Sequence, residues 1–195
     1  MRKAPNGHES RSLLILKAAE TLFFDHGYER VSVDDIGAAA GVTGPAIYRY
    51  YKGKTDILDA LLDQVFSELL LTTSKTSADP SDEVLKLARE FFVFSRSNRR
   101  LVSLYAREYR HLDLRQQRLH FRRQCRYMEV WERSLASCYP TSTRNQRLVA
   151  TRAAHSVLMS EALYGPINSD ARDIEEFVIS IALNGLSALL EPTGA

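Results

Sequence analysis

The amino-acid sequence predicts an all-α fold, and two observations point to that class. Apolar residues recur at the i, i+3, i+4 spacing of an amphipathic helix along most of the 195-residue chain. By contrast, no stretch of useful length alternates apolar and polar residues as a half-buried strand would. With 45% hydrophobic residues, the chain can bury a real core. We therefore expect about nine helices, with a three-helix head before a larger helical body.

The helices are predicted in order from the periodic segments and from the breaks between them. Gly27 ends the first helix, because glycine readily adopts the left-handed conformation that terminates a helix. Later breaks are a polar segment around Pro80 and the short sequences HLDL, YPTST and GPINSD. The predicted helices span residues 10–26, 33–40, 44–50, 55–73, 81–97, 99–111, 115–138, 143–164 and 171–190.

Two short helices joined by a tight turn are predicted between residues 32 and 50. Ser32 can cap the first of them, and Asp35, three residues on, completes a capping box. Gly41 falls where a left-handed backbone would end that helix. Thr43 is predicted to cap the second helix, and Pro45 sits in its first turn, where the missing amide costs no hydrogen bond. The pattern is typical of a helix-turn-helix.

The second of these helices has an inward and an outward side. Ala46, Ile47 and Tyr50 supply the inward side at helical spacing, which leaves Gly44, Tyr48 and Arg49 facing outward.

The charges around this helix are all positive. Arg49, Lys52 and Lys54 are the only residues with charged side chains between Ala38 and Thr55. The net charge of the whole chain is only +2, so this local excess is more informative than the total. A cluster of cations without acids suits contact with phosphate groups.

Residues 40–54 resemble the helix-turn-helix of the TetR family of bacterial transcriptional regulators. The usual family pattern is A-G-V-S-x-G-T-L-Y-x-[HY]-F-x-x-K, and here it reads AGVTGPAIYRYYKGK. Pro45 and Ala46 replace the usual Gly-Thr, and Tyr51 replaces the usual Phe. The resemblance extends back through the opening helix and forward into Leu58, which is roughly a quarter of the chain. The combined motif is far more specific than a bare helix-turn-helix.

The resemblance implies a ligand-responsive transcriptional regulator, usually a repressor, that binds a palindromic operator as a two-fold dimer. A DNA-binding domain at residues 1–54 and a ligand-binding and dimerisation domain at 55–195 are expected. Thr43, Tyr48 and Lys54 are implied to contact phosphate, whereas Gly44 and Arg49 are implied to face bases. The full predicted DNA-binding set is Ser32, Thr43, Gly44, Pro45, Tyr48, Arg49, Tyr50, Lys52 and Lys54. The alternative is a helical protein-interaction domain whose helix-turn-helix does not bind DNA.

A small-molecule effector is expected in the body. Residues 96–133 hold eleven arginines against four acidic residues, and they overlap aromatic-rich helices. This combination favours an amphipathic ligand with an apolar body and a negative end, such as a fatty acyl or coenzyme A thioester. The segment LYAREYRHL also resembles a segment of TetR-like regulators of lipid metabolism. The predicted ligand-binding residues are Phe91, Phe94, Tyr105, Glu108, Tyr127, Trp131, His155 and Met159.

Glu108 leaves two alternatives open. It shares a helix face with Leu104 and Leu112, which predicts a buried carboxylate that needs a partner. Arg122 or Arg126 can fill that role, and an unpaired Glu108 would instead favour a multidrug-type cation as the ligand.

The last two predicted helices are expected to form a homodimer. In residues 171–190, Ala182, Gly185 and Ala188 are interleaved with large apolar residues, and small residues let helices approach closely. Residues 143–164 carry a similar surface around Val149 and Ala153.

Other classes of protein are not supported by the sequence. Gly53-Lys54-Thr55 lacks the earlier glycine of a phosphate-binding loop, and no catalytic constellation is found, so no enzyme is expected. Cys125 and Cys138 are the only cysteines, and no cluster has metal-ligand spacing. No metal, cofactor, signal peptide or membrane span is predicted, and a cytoplasmic location is expected.

Overall fold

The computed structural model of the chain describes residues 7–73, 79–165 and 171–190. These ranges contain helices and no strand, so the predicted all-α class is confirmed. In order, the helices are α1 (Gly7–His26), α2 (Val33–Ala40), α3 (Gly44–Ile47), α4 (Lys54–Thr72), α5 (Pro80–Ser97), α6 (Arg99–Glu108), a 3₁₀ turn (Tyr109–His111), α7 (Leu114–Cys138), α8 (Arg144–Leu158), α9 (Ser160–Tyr164) and α10 (Ala171–Leu190). Residues 74–78, within the predicted break around Pro80, and residues 166–170, within the predicted break GPINSD, lie outside the described residues.

The described ranges hold ten α-helices, where about nine were predicted. The additional one arises because the predicted helix 143–164 is interrupted at Met159, whose backbone angles of φ −97° and ψ 7° are not helical. The amides of Ala162 and Leu163 then both donate to the Met159 carbonyl and start α9. The predicted helix 99–111 likewise tightens after Glu108 into the 3₁₀ turn.

The chain divides into two compact units. Of the described residues, unit 1 comprises those up to Val65 together with Ser103–Leu119, and unit 2 comprises those within Phe66–Val102 and those from His120 onward. The predicted boundary between residues 54 and 55 lies inside unit 1 and stays a prediction.

The core of unit 1 forms where α1 packs on α2 and α2 on α3. Each helix contributes apolar side chains at helical spacing, so one face of each is removed from water. The fully buried residues include Ile15, Ala19, Phe23, Ile36, Ile47, Ile57 and Leu58. Burying an aliphatic side chain of this size contributes about 1.5–3 kcal/mol, which makes this small core the main source of stability of the helix-turn-helix.

In unit 2, α8 and α10 pack against each other and both contact α5. Asp79 caps α5 by accepting hydrogen bonds from the amides of Ser81 and Asp82 at 2.7 and 3.2 Å. Thr143 and Gln146 form a capping box at the start of α8. Among the described helices, none is long and apolar enough to span a lipid bilayer.

Candidate nucleic-acid interface and ligand groove

The start and end of α2 are fixed by the residues that the sequence predicted. The Asp35 amide donates to Ser32 Oγ at 3.1 Å, and the Ser32 amide donates to Asp35 Oδ2 at 2.9 Å, which confirms the capping box. Hydrogen bonds from the Ser32 hydroxyl and amide lower the pKa of Asp35. Gly41 adopts φ 66°, and its amide donates to Ala38, so the left-handed cap is also confirmed. The Ser32 hydroxyl, a predicted DNA-contact group, is therefore occupied by capping.

The tight turn between α2 and α3 depends on the lack of a side chain at Gly37. A Cβ on Gly37 would lie 3.0 Å from the Val42 carbonyl oxygen and 3.4 Å from the Gly44 amide. A Cβ on Gly44 would collide with the carboxylate of Asp34. Gly44 was predicted as an outward-facing residue that meets DNA bases. Its contact with Asp34 was not predicted, because the proximity of Asp34 to α3 arises from the fold and not from spacing along the chain.

Helix α3, the second helix of the helix-turn-helix, is shorter than predicted, and a tight turn follows it. Thr43 occupies the N-cap position, but its hydroxyl makes no capping hydrogen bond within the described structure, so that part of the prediction was wrong. Helix α3 ends at Ile47, and not near residue 50 as predicted. The Tyr50 and Tyr51 amides both donate to the Ile47 carbonyl, at 2.8 and 3.0 Å, which draws the following residues into a turn.

Most of the predicted DNA-contact side chains lie at the surface of this element. Tyr48 is 60% exposed. Thr43, Pro45, Arg49 and Lys52 are exposed as well. Gly44, Tyr50 and Lys54 are half-buried. Ile47 is fully buried, so the predicted division into an inward and an outward side holds at Ile47, Tyr48 and Arg49.

Lys54 has structural partners that the sequence did not indicate. Its Nζ donates to the carbonyl oxygens of Tyr28 at 3.0 Å and Glu29 at 3.4 Å, and it lies 4.3 Å from the centre of the Tyr28 ring. These contacts join the first residue of α4 to the turn that follows α1. Tyr51, which was noted only as a departure from the family pattern, is buried, and its hydroxyl lies 2.7 Å from Ser12 Oγ.

Four predicted ligand-binding aromatic residues are core residues of unit 2. Phe91, Phe94, Tyr127 and Trp131 are each no more than 7% exposed. The Trp131 indole N–H donates to the Tyr127 hydroxyl at 3.0 Å.

His155 packs into this aromatic cluster. Its ring stacks on Phe91 with the ring centres 4.3 Å apart, and Trp131 lies edge-on to it at 4.8 Å. Burial disfavours the charged imidazolium and lowers the pKa of His155 to about 3.

An open groove of about 540 Å³ lies between α7 and α8 of unit 2. His155 and Met159 are the predicted ligand-binding residues that line it. Its other apolar or sulfur-containing residues are Phe121, Cys125, Met128 and Leu148. Its charged residues are Glu129, Glu132, Arg144 and Arg152. The groove thus combines an apolar surface with charges of both signs, and His155 connects it to the aromatic cluster.

One of those charges is already neutralised. Glu132 Oε1 accepts hydrogen bonds from the Arg147 guanidinium at 2.7 and 3.0 Å. The sequence did not indicate this pairing, because the two residues are separated by the loop between α7 and α8.

The remaining predicted ligand residues, Tyr105 and Glu108, belong to unit 1. Glu108 is 7% exposed, as its position on the helix predicted, and its Oε2 lies 3.3 Å from His111 Nε2. The partner of this buried acid is therefore His111 rather than Arg122 or Arg126. His111 follows Glu108 by three residues, so the i, i+3 spacing of the predicted helix 99–111 could have indicated this contact, but only arginines were considered as partners.

Exposed apolar residues mark one side of α8 and α10. Phe177 is 67% exposed, Val149 60% and Ile181 43%. Gly185 is exposed too, and a Cβ added there would meet no other atom within 4 Å among the described residues. The buried residues Val178, Ala182 and Leu186 occupy another side of α10. The apolar residues that the sequence places along residues 171–190 therefore form two faces of α10. One face packs within the chain, and the other remains exposed.

Comparisons with known proteins agree with this architecture. Residues 15–61 match the family described as bacterial regulatory proteins, tetR family. The chain is 35% identical over 78 residues to the HTH-type transcriptional regulator EthR of Mycobacterium tuberculosis, a match that covers 40% of this chain and 36% of EthR. The matched region therefore spans about a third of that relative's length.

Solved structures resemble the chain over most of its length. A bacterial regulatory protein in the tetR family from Rhodococcus RHA1 superimposes with a TM-score of 0.81 at 19% identity, covering 90% of this chain and 96% of that one. AibR, solved in complex with isovaleryl coenzyme A and operator DNA, gives a TM-score of 0.74 at 18% identity and covers 92% and 98%. The TM-scores establish a shared fold.

Proposed function

We propose that this chain, whose residues 15–61 match the family described as bacterial regulatory proteins, tetR family, is a ligand-responsive repressor that binds a palindromic DNA operator as a homodimer in the cytoplasm. The observation that carries the proposal is the capped helix-turn-helix with Tyr48 and Arg49 exposed beside it. An exposed arginine can pair bidentately with guanine in the major groove, and the tyrosine hydroxyl can donate to phosphate.

Three substitutions test the DNA-contact surface in gel-shift assays on DNA from upstream of the protein's own gene. Tyr48→Phe and Lys54→Ala should weaken binding to all sequences alike, because phosphate contacts carry no sequence information. Arg49→Ala should relax the preference at one base pair by ~1–3 kcal/mol. Lys17→Ala, which removes an exposed cation from α1, is the matched control. Unchanged binding by all three variants would refute the assignment.

The dimer is proposed to form through the exposed faces of α8 and α10. Phe177, Ile181 and Val149 are large apolar side chains that a second copy could cover, and Gly185 leaves space for close approach. Two heads held by such an interface would read half-sites roughly 34–36 Å apart along the DNA.

The effector is proposed to be an amphipathic molecule with an anionic end, bound in the groove between α7 and α8. Phe121, Met128 and Met159 offer apolar surface to its body. Arg144 and Arg152 can fix the anion with charge-assisted hydrogen bonds, while Glu132 is already neutralised by Arg147. AibR, a structural neighbour solved with isovaleryl coenzyme A, supports an acyl thioester as the ligand class.

Titrations with palmitoyl-coenzyme A, palmitate and the hydrophobic cation tetraphenylphosphonium separate the ligand classes. Trp131 is the only tryptophan of the chain and lies beside His155, so its fluorescence should respond to an occupied groove. Arg152→Ala should weaken the binding of the anionic ligands. Arg133 is an exposed arginine outside the groove, so Arg133→Ala should leave their binding unchanged. A response to the cation alone would show that the anionic class is wrong.

An effector releases DNA only if it binds the DNA-free conformation more tightly than the DNA-bound one. In gel shifts with each of the three compounds, we expect palmitoyl-coenzyme A and palmitate to release the DNA and tetraphenylphosphonium to leave it bound. A compound that changes Trp131 fluorescence without releasing DNA would count against an effector role for the groove.

A further inference from the structure

Sulfur-containing side chains and one imidazole line the same groove between α7 and α8. Cys125 and Met128 come from α7, whereas His155 and Met159 come from α8. Apart from its first residue, the chain has two cysteines and two methionines, and three of these four residues line the groove. All of the lining residues belong to unit 2. The groove therefore brings together most of the soft donor atoms of the chain.

The ion pair between Glu132 and Arg147 shows which parts of the two helices face each other. Helices α7 and α8 are joined by the short loop 139–143 and line the groove together, so they run antiparallel. Counted from the ion pair away from the loop, Cys125 is seven residues along α7 and His155 is eight residues along α8. At 1.5 Å of rise per residue, they lie about 10 and 12 Å from the pair, and therefore at nearly the same level.

The two methionines lie about one helical turn to either side of that level. Met128 is nearer the ion pair than Cys125, and Met159 is farther from it than His155. A helical side chain leans towards the N-terminus of its own helix, and in antiparallel helices these directions are opposite. Met128 therefore leans towards the level of Cys125, and Met159 leans back towards His155. Because methionine is long and unbranched, all four donor groups can reach one point in the groove.

The two residues at the centre of this cluster are in forms that suit a metal ion. Burial lowers the pKa of His155 to about 3, so its imidazole is neutral and one ring nitrogen has a free lone pair. His155 Nε2 is shielded from water and makes no hydrogen bond to a described residue. Cys125 is a half-buried free thiol. A bound ion would give the imidazole a partner that the described residues do not supply.

The composition of the cluster determines the class of ion. Among the described residues, no three His, Cys, Asp or Glu side chains are grouped so that they could hold a metal ion. A metal site in this groove therefore depends on the methionine thioethers. Thioether and thiolate ligands are soft and favour Cu(I), whereas Zn²⁺ takes Cys, His, Asp and Glu.

We propose that Cys125, Met128, His155 and Met159 form a binding site for a soft monovalent metal ion, with Cu(I) as the ligand. On binding, the Cys125 thiol releases its proton to water and the thiolate sulfur coordinates the ion, which keeps its oxidation state. This site goes beyond the proposed function and does not depend on it. Met128 and Met159 are also the apolar surface proposed for the effector, so the ion and the effector exclude each other.

The test measures Cu(I) binding to the full-length protein without DNA and without palmitoyl-coenzyme A. The protein, with its thiols reduced, is mixed in the absence of oxygen with Cu(I) held by the coloured chelator bathocuproine disulfonate. It should withdraw one Cu(I) per chain from the chelator. Trp131 lies edge-on to His155 with the ring centres 4.8 Å apart, so its fluorescence should be quenched as the ion binds. An excess of Zn²⁺ should not displace the Cu(I).

Two variants remove single sulfur donors with little change in volume. Cys125→Ser and Met159→Leu should both stay folded, which circular dichroism checks, and each should weaken Cu(I) binding about tenfold or more. Cys138→Ser is the matched control, because Cys138 is the other cysteine of the chain and is not among the residues that line the groove. This control should bind Cu(I) like the wild type.

Three outcomes would overturn the inference. They are Cu(I) that remains entirely on the chelator, wild-type affinity in either folded donor variant, and an equal loss of affinity in Cys138→Ser. None of these measurements involves DNA, so failure of the metal site is distinguishable from failure of the proposed function.

Discussion

The ammonium of Lys54 lies 3.0 Å from the carbonyl oxygen of Tyr28, a residue 26 positions earlier in the chain. Lys54 had been predicted to contact DNA phosphate. An ammonium group has three donors, and two of them are directed at the Tyr28 and Glu29 carbonyls. The side chain therefore stabilises the head and retains one donor for a phosphate oxygen.

Lys54→Met should consequently lower the stability of the protein as well as its affinity for DNA. Hydrogen bonds from charged groups contribute about 1.5–3 kcal/mol, and partial exposure of Lys54 reduces this to about 1–2 kcal/mol of unfolding free energy. Urea denaturation measures the loss. Lys52→Met removes an exposed cation two residues away and should change the unfolding free energy by less than about 0.5 kcal/mol. Equal unfolding midpoints for the two variants would contradict the structural role of Lys54.

Ser32→Ala should destabilise the helix-turn-helix by about 1 kcal/mol, because the variant loses the side-chain cap of α2. In this variant, the free energy of unfolding should also depend less on pH in the acid range. The hydrogen bonds from Ser32 lower the pKa of Asp35 in the folded state, so this contribution is present above the unfolded pKa and is lost as pH falls through the folded pKa. Urea denaturation of both proteins across the acid range measures the effect. Parallel pH curves would show that the hydroxyl does not stabilise the carboxylate.

His155 should make the protein less stable as the pH falls from about 6.5 towards about 3. The folded state keeps the imidazole neutral, whereas the unfolded chain takes up a proton below its ordinary pKa, so acid favours unfolding. His155→Phe preserves the aromatic contact with Phe91 and removes the titrating group. Its stability should therefore decline less over this range in denaturation experiments. An unchanged decline would mean that other groups cause the acid sensitivity.

Gly185→Arg should convert the proposed dimer to a monomer without unfolding the chain. A side chain at Gly185 meets no described atom within 4 Å, and replacing glycine within a helix improves helix propensity. Light scattering measures the oligomeric state, and circular dichroism shows whether the variant is folded. Ser180→Arg adds the same side chain at another exposed position of α10 and should remain dimeric. A dimeric, folded Gly185→Arg protein would exclude this interface.

Local signals in the sequence were sufficient to predict the helix-turn-helix and most helix boundaries. Ser32 and Gly41 act through neighbours within four residues, so their roles follow from spacing alone. The contacts of Lys54 with Tyr28, Glu132 with Arg147 and His111 with Glu29 join residues that are distant in sequence, and only the fold brings them together. Helical spacing also could not separate the buried face of α10 from the exposed one, because both faces are apolar.

The most direct test of the account is the selection of binding sites by the purified protein from a randomised DNA duplex library, followed by gel shifts at several salt concentrations. We expect a palindromic site with half-sites about one helical turn apart, and an affinity that falls linearly on a log–log plot against salt. Arg49→Ala should lose its preference at one base pair in each half-site. Failure to enrich any sequence, with no binding above that of unrelated DNA at low salt, would contradict the proposed function as a DNA-binding regulator.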